Sequence, residues 1–325
     1  MEKQLNVNYL GLNLKNPVIV SSSGLTASLE RIKALEAAGA SAVVLKSLFE
    51  EQIMHESAAI NYCDYPEAND YLAEYTRQHR LEQHVQLIAD TKKACLIPVI
   101  ASICCVTRGE WVGFAKRLEE AGADALELNI FLLPTDKRPS GEELENRYLA
   151  IVAEVVESVS IPVTVKLGRQ FTNLLNITAG IAFRGAKGVV MFNRFYEPDI
   201  DINAMKLVSS SVYSSPGELR SVLRWVALAS AQDIGIDFAA STGIHDGEAV
   251  VKALLAGASA VEICSTIYEH GNGIVQKMLA DVEAWMETYG YPRLSDAIGV
   301  LNYKNIDNPV TYERSQFMKY FVQHA

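Results

Sequence analysis

Four times in this 325-residue chain a stretch with helical periodicity closes on a glycine and gives way within a few residues to an apolar run. The units are ALEAAGASAVVLKS (35–48), RLEEAGADALELN (117–129), GIAFRGAKGVVMFN (180–193) and ALLAGASAVEICS (253–265). Gly39, Gly122, Gly185 and Gly257 stand where a helix C-cap takes the left-handed conformation that glycine adopts without steric cost. Between these units lie four further apolar runs: NPVIVSS (16–22), IPVIASICC (97–105), IPVTVKL (161–167) and IDFAASTG (236–243). Three of them begin with proline, which suits the first position of a strand. Their Val- and Ile-rich content without polar alternation is that of strands buried on both faces.

Interleaving the two sets predicts eight strands, near 17–21, 42–46, 98–104, 125–129, 162–166, 188–192, 237–241 and 260–263, each followed by room for a helix. A doubly wound open sheet needs a Gly-rich phosphate loop after its first strand, and neither GxGxxG nor GxxxxGK[ST] occurs. The expected fold is therefore an α/β (β/α)8 TIM barrel, with 1–325 as one domain, a length this architecture accommodates. The opening segment QLNVNYLGLNLKNP alternates apolar and polar residues around Gly11 and reads as an N-terminal β-hairpin closing the barrel bottom. Residues 47–90 and 194–222 are longer than a plain βα unit requires, and long loops at the C-terminal ends of strands carry function.

A formal net charge of −10 with no basic run argues against a nucleic-acid partner. No apolar segment approaches the roughly 18 residues of a membrane span, and MEKQLNVNYL has no signal-peptide core, so a cytoplasmic protein is expected. The five cysteines show no CxxC spacing and the six histidines no HExxH, so neither a disulfide framework nor a metal site is expected.

In a barrel of this kind the active site sits at the C-terminal ends of the strands. Those ends carry Ser21-Ser22-Ser23-Gly24, Lys46-Ser47, Ser102 with Cys104-Cys105, Glu127 and Asn129, Lys166, Asn193-Arg194, Ser241-Thr242-Gly243 and Cys264-Ser265-Thr266. Small hydroxyl and glycine residues after the last two strands suit a phosphate group, and equally suit ordinary helix caps. Lys46 and Lys166 follow apolar runs, so each ammonium should enter the mouth and meet a ligand; the alternative for such a lysine is a buried ion pair with Glu127. Asn129 and Asn193 offer mixed donor and acceptor edges, suited to planar heterocycles.

NPVIVSSSG, VVLKS, ALELN, IPVTVKL, STGI and GASAVEICSTIYEHGNGIV followed by MLADVEAWMETYGY resemble, in order and spacing, the dihydroorotate dehydrogenase family from Leu10 to about Leu301. The resemblance implies an FMN-dependent oxidoreductase. It places Ser22, Ser23 and Gly24 along the flavin, Lys46 and Ser47 near its reactive edge, Asn129 beside the ring system, and Lys166 at flavin N1/O2. Thr242, Gly243, Ser265 and Thr266 would hold the phosphate, with Ser215 of YSSPGEL in the family's glycine position near it. Dihydroorotate or a related dihydropyrimidine-like molecule is the implied substrate, contacted by Asn129, Asn193 and Arg194. A homodimer and an electron-transfer partner are further expectations.

Departures from the family pattern fall at the chemistry. Three residues after the strand-four Asn the family carries a Cys or Ser base; this chain reads Asn129-Ile-Phe-Leu-Leu-Pro134, with Leu132 or Leu133 at that position. Neither can take a proton. Replacement candidates are Cys104, Cys105, Arg194 and Tyr65, with Lys46 as a further catalytic candidate. The family's Asn-rich loop after strand two is replaced by Tyr62-Cys63-Asp64-Tyr65-Pro66-Glu67-Ala68-Asn69, and Arg194 stands where a small hydroxyl is expected. Two alternatives stay open: a catalytically silent FMN-binding protein or partner subunit, and a flavin-free lyase or isomerase using Lys166 as a Schiff-base nucleophile.

Overall fold

The computed structural model describes residues 3–49, 66–104 and 110–314. Its first two strands, β1 (Val7–Tyr9) and β2 (Leu12–Leu14), form an antiparallel hairpin. Eight parallel strands follow as the barrel: β3 (Val18–Val20), β4 (Ala42–Val44), β6 (Val99–Cys104), β7 (Ala125–Asn129), β8 (Val163–Leu167), β9 (Gly188–Met191), β12 (Asp237–Ser241) and β13 (Ala260–Ile263). Each is hydrogen-bonded to the next, and β13 pairs with β3, so no edge is left open. The two-residue β5 (Leu48–Phe49) runs beside the outer half of β6. A β10–β11 hairpin (Pro198–Asp201 and Lys206–Ser209) stands outside the barrel in the long connection after β9.

The repeat glycines act as the spacing demands. Gly39, Gly122, Gly185 and Gly257 have φ between +89° and +113°. At three of them the following alanine N–H bonds a carbonyl five residues back (Ala40 to Leu35, Ala123 to Leu118, Ala258 to Ala253), which is the Schellman closure. The strand-opening prolines lack an N–H, yet their carbonyls serve the sheet: Pro17, Pro98 and Pro162 accept from Val261, Val43 and Leu126 on neighbouring strands. The helices around the barrel are α1 (Leu29–Ala37), α2 (Pro66–Ala94), α3 (Glu110–Glu120), α4 (Gly141–Ser158), α5 (Leu174–Phe183), α6 (Leu219–Ser230), α7 (Gly247–Ala256), α8 (Ser265–His270) and α9 (Ile274–Tyr289), with a last turn α10 (Val310–Glu313). Among the described residues no helix is long and apolar enough to cross a membrane.

The long segment after β4 is built differently from the sequence expectation of an extended loop. Most of it is the 29-residue α2, whose buried residues Leu81, Ile88 and Thr91 recur at helical spacing among charged neighbours.

The barrel bottom is closed by the hairpin. Leu10 and Gly11 make its turn at φ +58° and +78°, the Leu10 N–H donates to Asp237 Oδ2 at 2.7 Å, and the fully buried Tyr9 hydroxyl meets Thr164 Oγ1 at 3.2 Å. Leu10 reaches β9 so closely that a Cβ on Gly188 would lie 2.3 Å from its Cδ2 and 2.8 Å from Thr164 Oγ1. Gly188→Ala should therefore cost about 1–3 kcal/mol as an overpacked core. In denaturant unfolding, part of that loss should return in Leu10→Ala/Gly188→Ala relative to the sum of the single changes; strict additivity would show that the plug does not set this contact.

Candidate active site

Strand alternation decides which side chains enter the mouth. On β8, Thr164 and Lys166 face inward; β7 contributes Glu127 and Asn129, and Asn129 sits in register with Lys166 while Glu127 pairs with Thr164. From the far side β13 supplies Glu262, and the segment leaving β3 supplies Ser21. The Lys166 ammonium donates to Glu262 Oε2 at 2.6 Å and to Ser21 Oγ at 2.7 Å, and lies 3.6 Å from Glu127 Oε1. Ser21 in turn donates to Glu262 Oε2 at 2.9 Å. All four residues are buried.

One ammonium does not neutralise two carboxylates in a dry interior, and the protonation pattern follows from that. Burial, together with the charge of Glu262, pushes the Glu127 carboxyl well above the usual range. For Glu262 burial acts in the same direction, but Lys166 and the hydrogen bonds of Glu127, Lys166 and Ser21 bring it below the usual range. Burial alone would lower Lys166, and the charges of Glu127 and Glu262 outweigh it and keep the ammonium charged. Neither oxygen of Glu127, nor Glu262 Oε1, has a donor partner if both carboxyls are ionised. A proton on Glu127 supplies the missing donor for a carboxyl–carboxylate contact.

Above this floor opens a cavity of about 450 Å3, lined by Ser22, Ser23, Lys46, Ser47, Cys104, Glu127, Asn129, Phe131, Lys166, Asn193, Arg194, Phe195 and Tyr196. A bulge brings Lys46 to it. Val44 faces Ile100 and Leu48 faces Ile103, so residues 45–47 stand opposite only two residues of β6, and the strand bends there. His84 Nε2 contacts the Lys46 carbonyl at 2.9 Å from α2, and the hydroxyls of Ser22, Ser47 and Ser102 form a chain with spacings of 3.0 and 2.8 Å. Asn193 Nδ2 donates to Asn129 Oδ1 at 2.8 Å, so the two amides present one polar edge. Opposite, Phe131 and Phe195 meet with centroids 4.2 Å apart, and Gly168 leaves the room that Phe195 occupies.

A second cavity of about 150 Å3 adjoins the first and shares Ser22, Lys166, Asn193 and Arg194 with it. It is bounded by Ser214, Thr242, Gly243 and Ser265. Thr242 and Gly243 both have positive φ, +80° and +83°, and a Cβ on Gly243 would lie 2.4 Å from the Leu219 nitrogen, so only glycine fits that wall. The buried Arg194 Nε has no hydrogen-bond acceptor, although Glu218 lies 3.5 Å away. An anion in this cavity would find backbone donors and an unspent guanidinium N–H.

Most residues singled out in the sequence meet here: Ser22, Ser23, Lys46, Ser47, Cys104, Asn129, Lys166, Asn193, Arg194, Thr242, Gly243 and Ser265. Three line neither cavity. Gly24 lies in a 3-10 turn against the Tyr268 hydroxyl, Ser215 is exposed with its N–H bonded to Glu218, and Thr266 is buried with its hydroxyl donating to the His245 carbonyl. Ser214, one residue before Ser215, is the one that lines the smaller cavity. Cys105 and Tyr65 lie outside the described residues. The Leu132 N–H donates to the Tyr148 hydroxyl while Leu133 is exposed, and neither lines either of these two cavities. Glu262, Phe131 and Phe195 were not anticipated. Glu262 alone had a visible signal, as the one charged residue in the apolar run AVEIC.

A closed (β/α)8 barrel with a polar, ligand-sized mouth defines the class. A family model described as dihydroorotate dehydrogenase matches residues 4–286. Over 305 residues the chain is 30% identical to the dihydroorotate dehydrogenase B (NAD(+)) catalytic subunit of Pyrococcus abyssi, covering 91% of this chain and 98% of that protein. The corresponding subunits of Thermoplasma volcanium and Methanosarcina acetivorans are 25% and 29% identical, covering 91% and 90% of this chain and 98% and 94% of theirs. The chain belongs to the dihydroorotate dehydrogenase family and is an oxidoreductase of that kind.

The carboxyl cluster makes stability pH-dependent with a defined sign. A carboxyl that holds its proton more tightly when folded stabilises the fold below its unfolded range, near 4.5 for Glu127, and this contribution is lost as the pH climbs towards the folded value. Glu262, shifted the other way, stabilises above that range and loses its contribution on acidification. Wild type should therefore lose about 1.4 kcal/mol per pH unit relative to Glu127→Gln from weakly acid pH upward. Parallel stability profiles in urea unfolding would contradict a protonated Glu127.

Proposed function

We propose that this protein is an FMN-dependent dehydrogenase acting on dihydroorotate or a related dihydropyrimidine-like small molecule. The observation that carries the reading is the joined pair of cavities, one of ring size and one suited to an anion, with Lys166 and Arg194 common to both. The residues fit the group: the unpartnered Arg194 Nε and the Thr242-Gly243 turn suit its phosphate, while Lys166 and the Asn129–Asn193 edge suit the polar end of a ring. The flavin supplies the hydride acceptor at N5.

Around it the protein's own groups bind, orient and exclude water. Asn129 and Asn193 hold amide edges, Phe131 and Phe195 close an apolar wall, and the bulge aims Lys46 at the mouth. Cys104 lines the ring cavity, whereas the position at which the family carries its base is leucine, so Cys104 is the proton acceptor we assign for a substrate C–H. Lys166 is ill suited to Schiff-base chemistry, because its ammonium is held charged by two carboxyl groups and a nucleophilic lysine must be neutral. The relatives named above are catalytic subunits of NAD(+)-type enzymes; by extension we assign electron delivery to a separate partner, and assembly as a homodimer. Leu132 and Leu133 favour a second reading, an FMN-holding protein without turnover.

Purified protein should be yellow, with a visible band that bleaches on reduction, and a preparation that takes up no added FMN would overturn the proposal. Turnover of dihydroorotate with fumarate, quinone or NAD as acceptor separates the enzyme from the silent reading. Cys104→Ala, alone and with Cys105→Ala, should lower kcat on the true substrate by about 10²–10⁴-fold while the flavin spectrum stays intact. Unchanged turnover would remove Cys104 from that role. Gly243→Ala should weaken FMN binding by about tenfold or more, corresponding to at least about 1.4 kcal/mol; equal affinity would place the phosphate elsewhere.

A further inference from the structure

The floor of the ring cavity holds a group that the assigned chemistry leaves unused. Glu127 is fully buried, lines the cavity beside Asn129, and stands 3.6 Å from the Lys166 ammonium. Lys166 already gives two of its three hydrogens to Glu262 and Ser21. Neither oxygen of Glu127 makes a hydrogen bond, and one oxygen of Glu262 is in the same condition. The other titratable groups facing the cluster are Tyr9 from below, whose hydroxyl is engaged with Thr164, and Cys264 just beyond Glu262; burial raises both. Neither brings a positive charge, and Lys166 is the cation that pairs with both carboxyls among the described residues.

We propose that Glu127 is a built-in acid of this site: it shares one proton with Glu262 and passes that proton to the ligand atom seated against Lys166 when the ligand becomes negatively charged. The inference rests on the flavin reading above. Before reaction the cluster carries one ammonium, one carboxylate and one carboxylic acid, and sums to zero. A flavin held there would take two electrons with the substrate's hydride and would carry the resulting negative charge towards its pyrimidine end. An ammonium already paired with Glu262 offers that charge little net field, so neutralisation falls to the nearest mobile proton. The Glu127 O–H bond breaks, a ring N–H bond forms, and the cluster takes on the negative charge that the ring loses, an excess that its one ammonium does not neutralise and that draws the proton back on reoxidation. When the electron acceptor reoxidises the ring, the N–H proton returns to Glu127.

Infrared difference spectroscopy of the full-length, FMN-loaded protein at neutral pH tests this. The oxidised protein should show the carbonyl stretch of a protonated carboxylic acid that shifts in D2O, and reduction by dithionite should abolish it in proportion to flavin reduced. The stretch should be absent from Glu127→Gln. Glu262→Gln provides an independent check, because it leaves Glu127 as the sole counter-charge of Lys166; Glu127 should then ionise and the stretch should vanish without reduction. A stretch that survives reduction, persists in Glu127→Gln or is unaffected by Glu262→Gln overturns the proposal, as does its absence from oxidised wild type. Protein that shows the stretch but binds no flavin overturns the functional reading instead, and with it the recipient of the proton.

Discussion

An ammonium fixed between two carboxyl groups beneath the barrel mouth is the constraint on which the rest of the site depends. Lys166 leaves β8, crosses the interior and is received by Ser21 and Glu262, residues 145 and 96 positions away in the chain. An isolated ammonium at that depth would be expelled or neutralised, so the strands that bear its partners must stay in register for the charge to remain. Closure of the barrel through β13 and β3 supplies that register, since Glu262 lies on β13 and Ser21 directly follows β3.

The bottom of the barrel determines how strongly the cluster is felt. Tyr9 and Leu10 plug the end opposite the mouth, Gly188 leaves room for Leu10, and Thr164 separates the plug from Lys166. With water kept out below, the medium around the carboxyls is poorly polarisable. That is why burial is the largest influence on Glu127, Glu262, Lys166 and Tyr9 alike. The mouth is built the opposite way, from hydroxyls and amides on strand ends and from a bulge that turns Lys46 upward.

Periodicity and punctuation made the barrel legible before any coordinates. A glycine cap and a strand-opening proline are local signals with a single physical meaning, and four of the first with three of the second, set among eight apolar runs, leave one architecture. The hairpin plug was legible for the same reason, through Gly11 and strict alternation. By contrast α2 carries only a weak sequence signal, because few apolar residues mark its inner face and α1, β5 and β6 complete its packing. Within the site, Lys166 was visible as a charge in an apolar run. Glu262 carried the same signal but went unused, since its partner becomes near only on barrel closure. Near Ser215, Ser214 turns inward and Ser215 outward, with the Ser215 N–H engaged by Glu218, and this one-residue choice has no signal in the sequence. Thr266 was chosen as a phosphate donor by its position after β13, yet its hydroxyl is spent on the His245 carbonyl.

The proposed arrangement, with a ring over the paired lysine and an anion in the Thr242-Gly243 turn, draws its support from family membership and from the two joined cavities. A crystal structure of the protein with FMN bound tests it most directly. The account predicts Lys166 Nζ within hydrogen-bond distance of the pyrimidine end of the ring, and the phosphate among the Gly243 backbone, Ser265 and Arg194. A flavin bound elsewhere, or one whose ring makes no contact with Lys166, would contradict it.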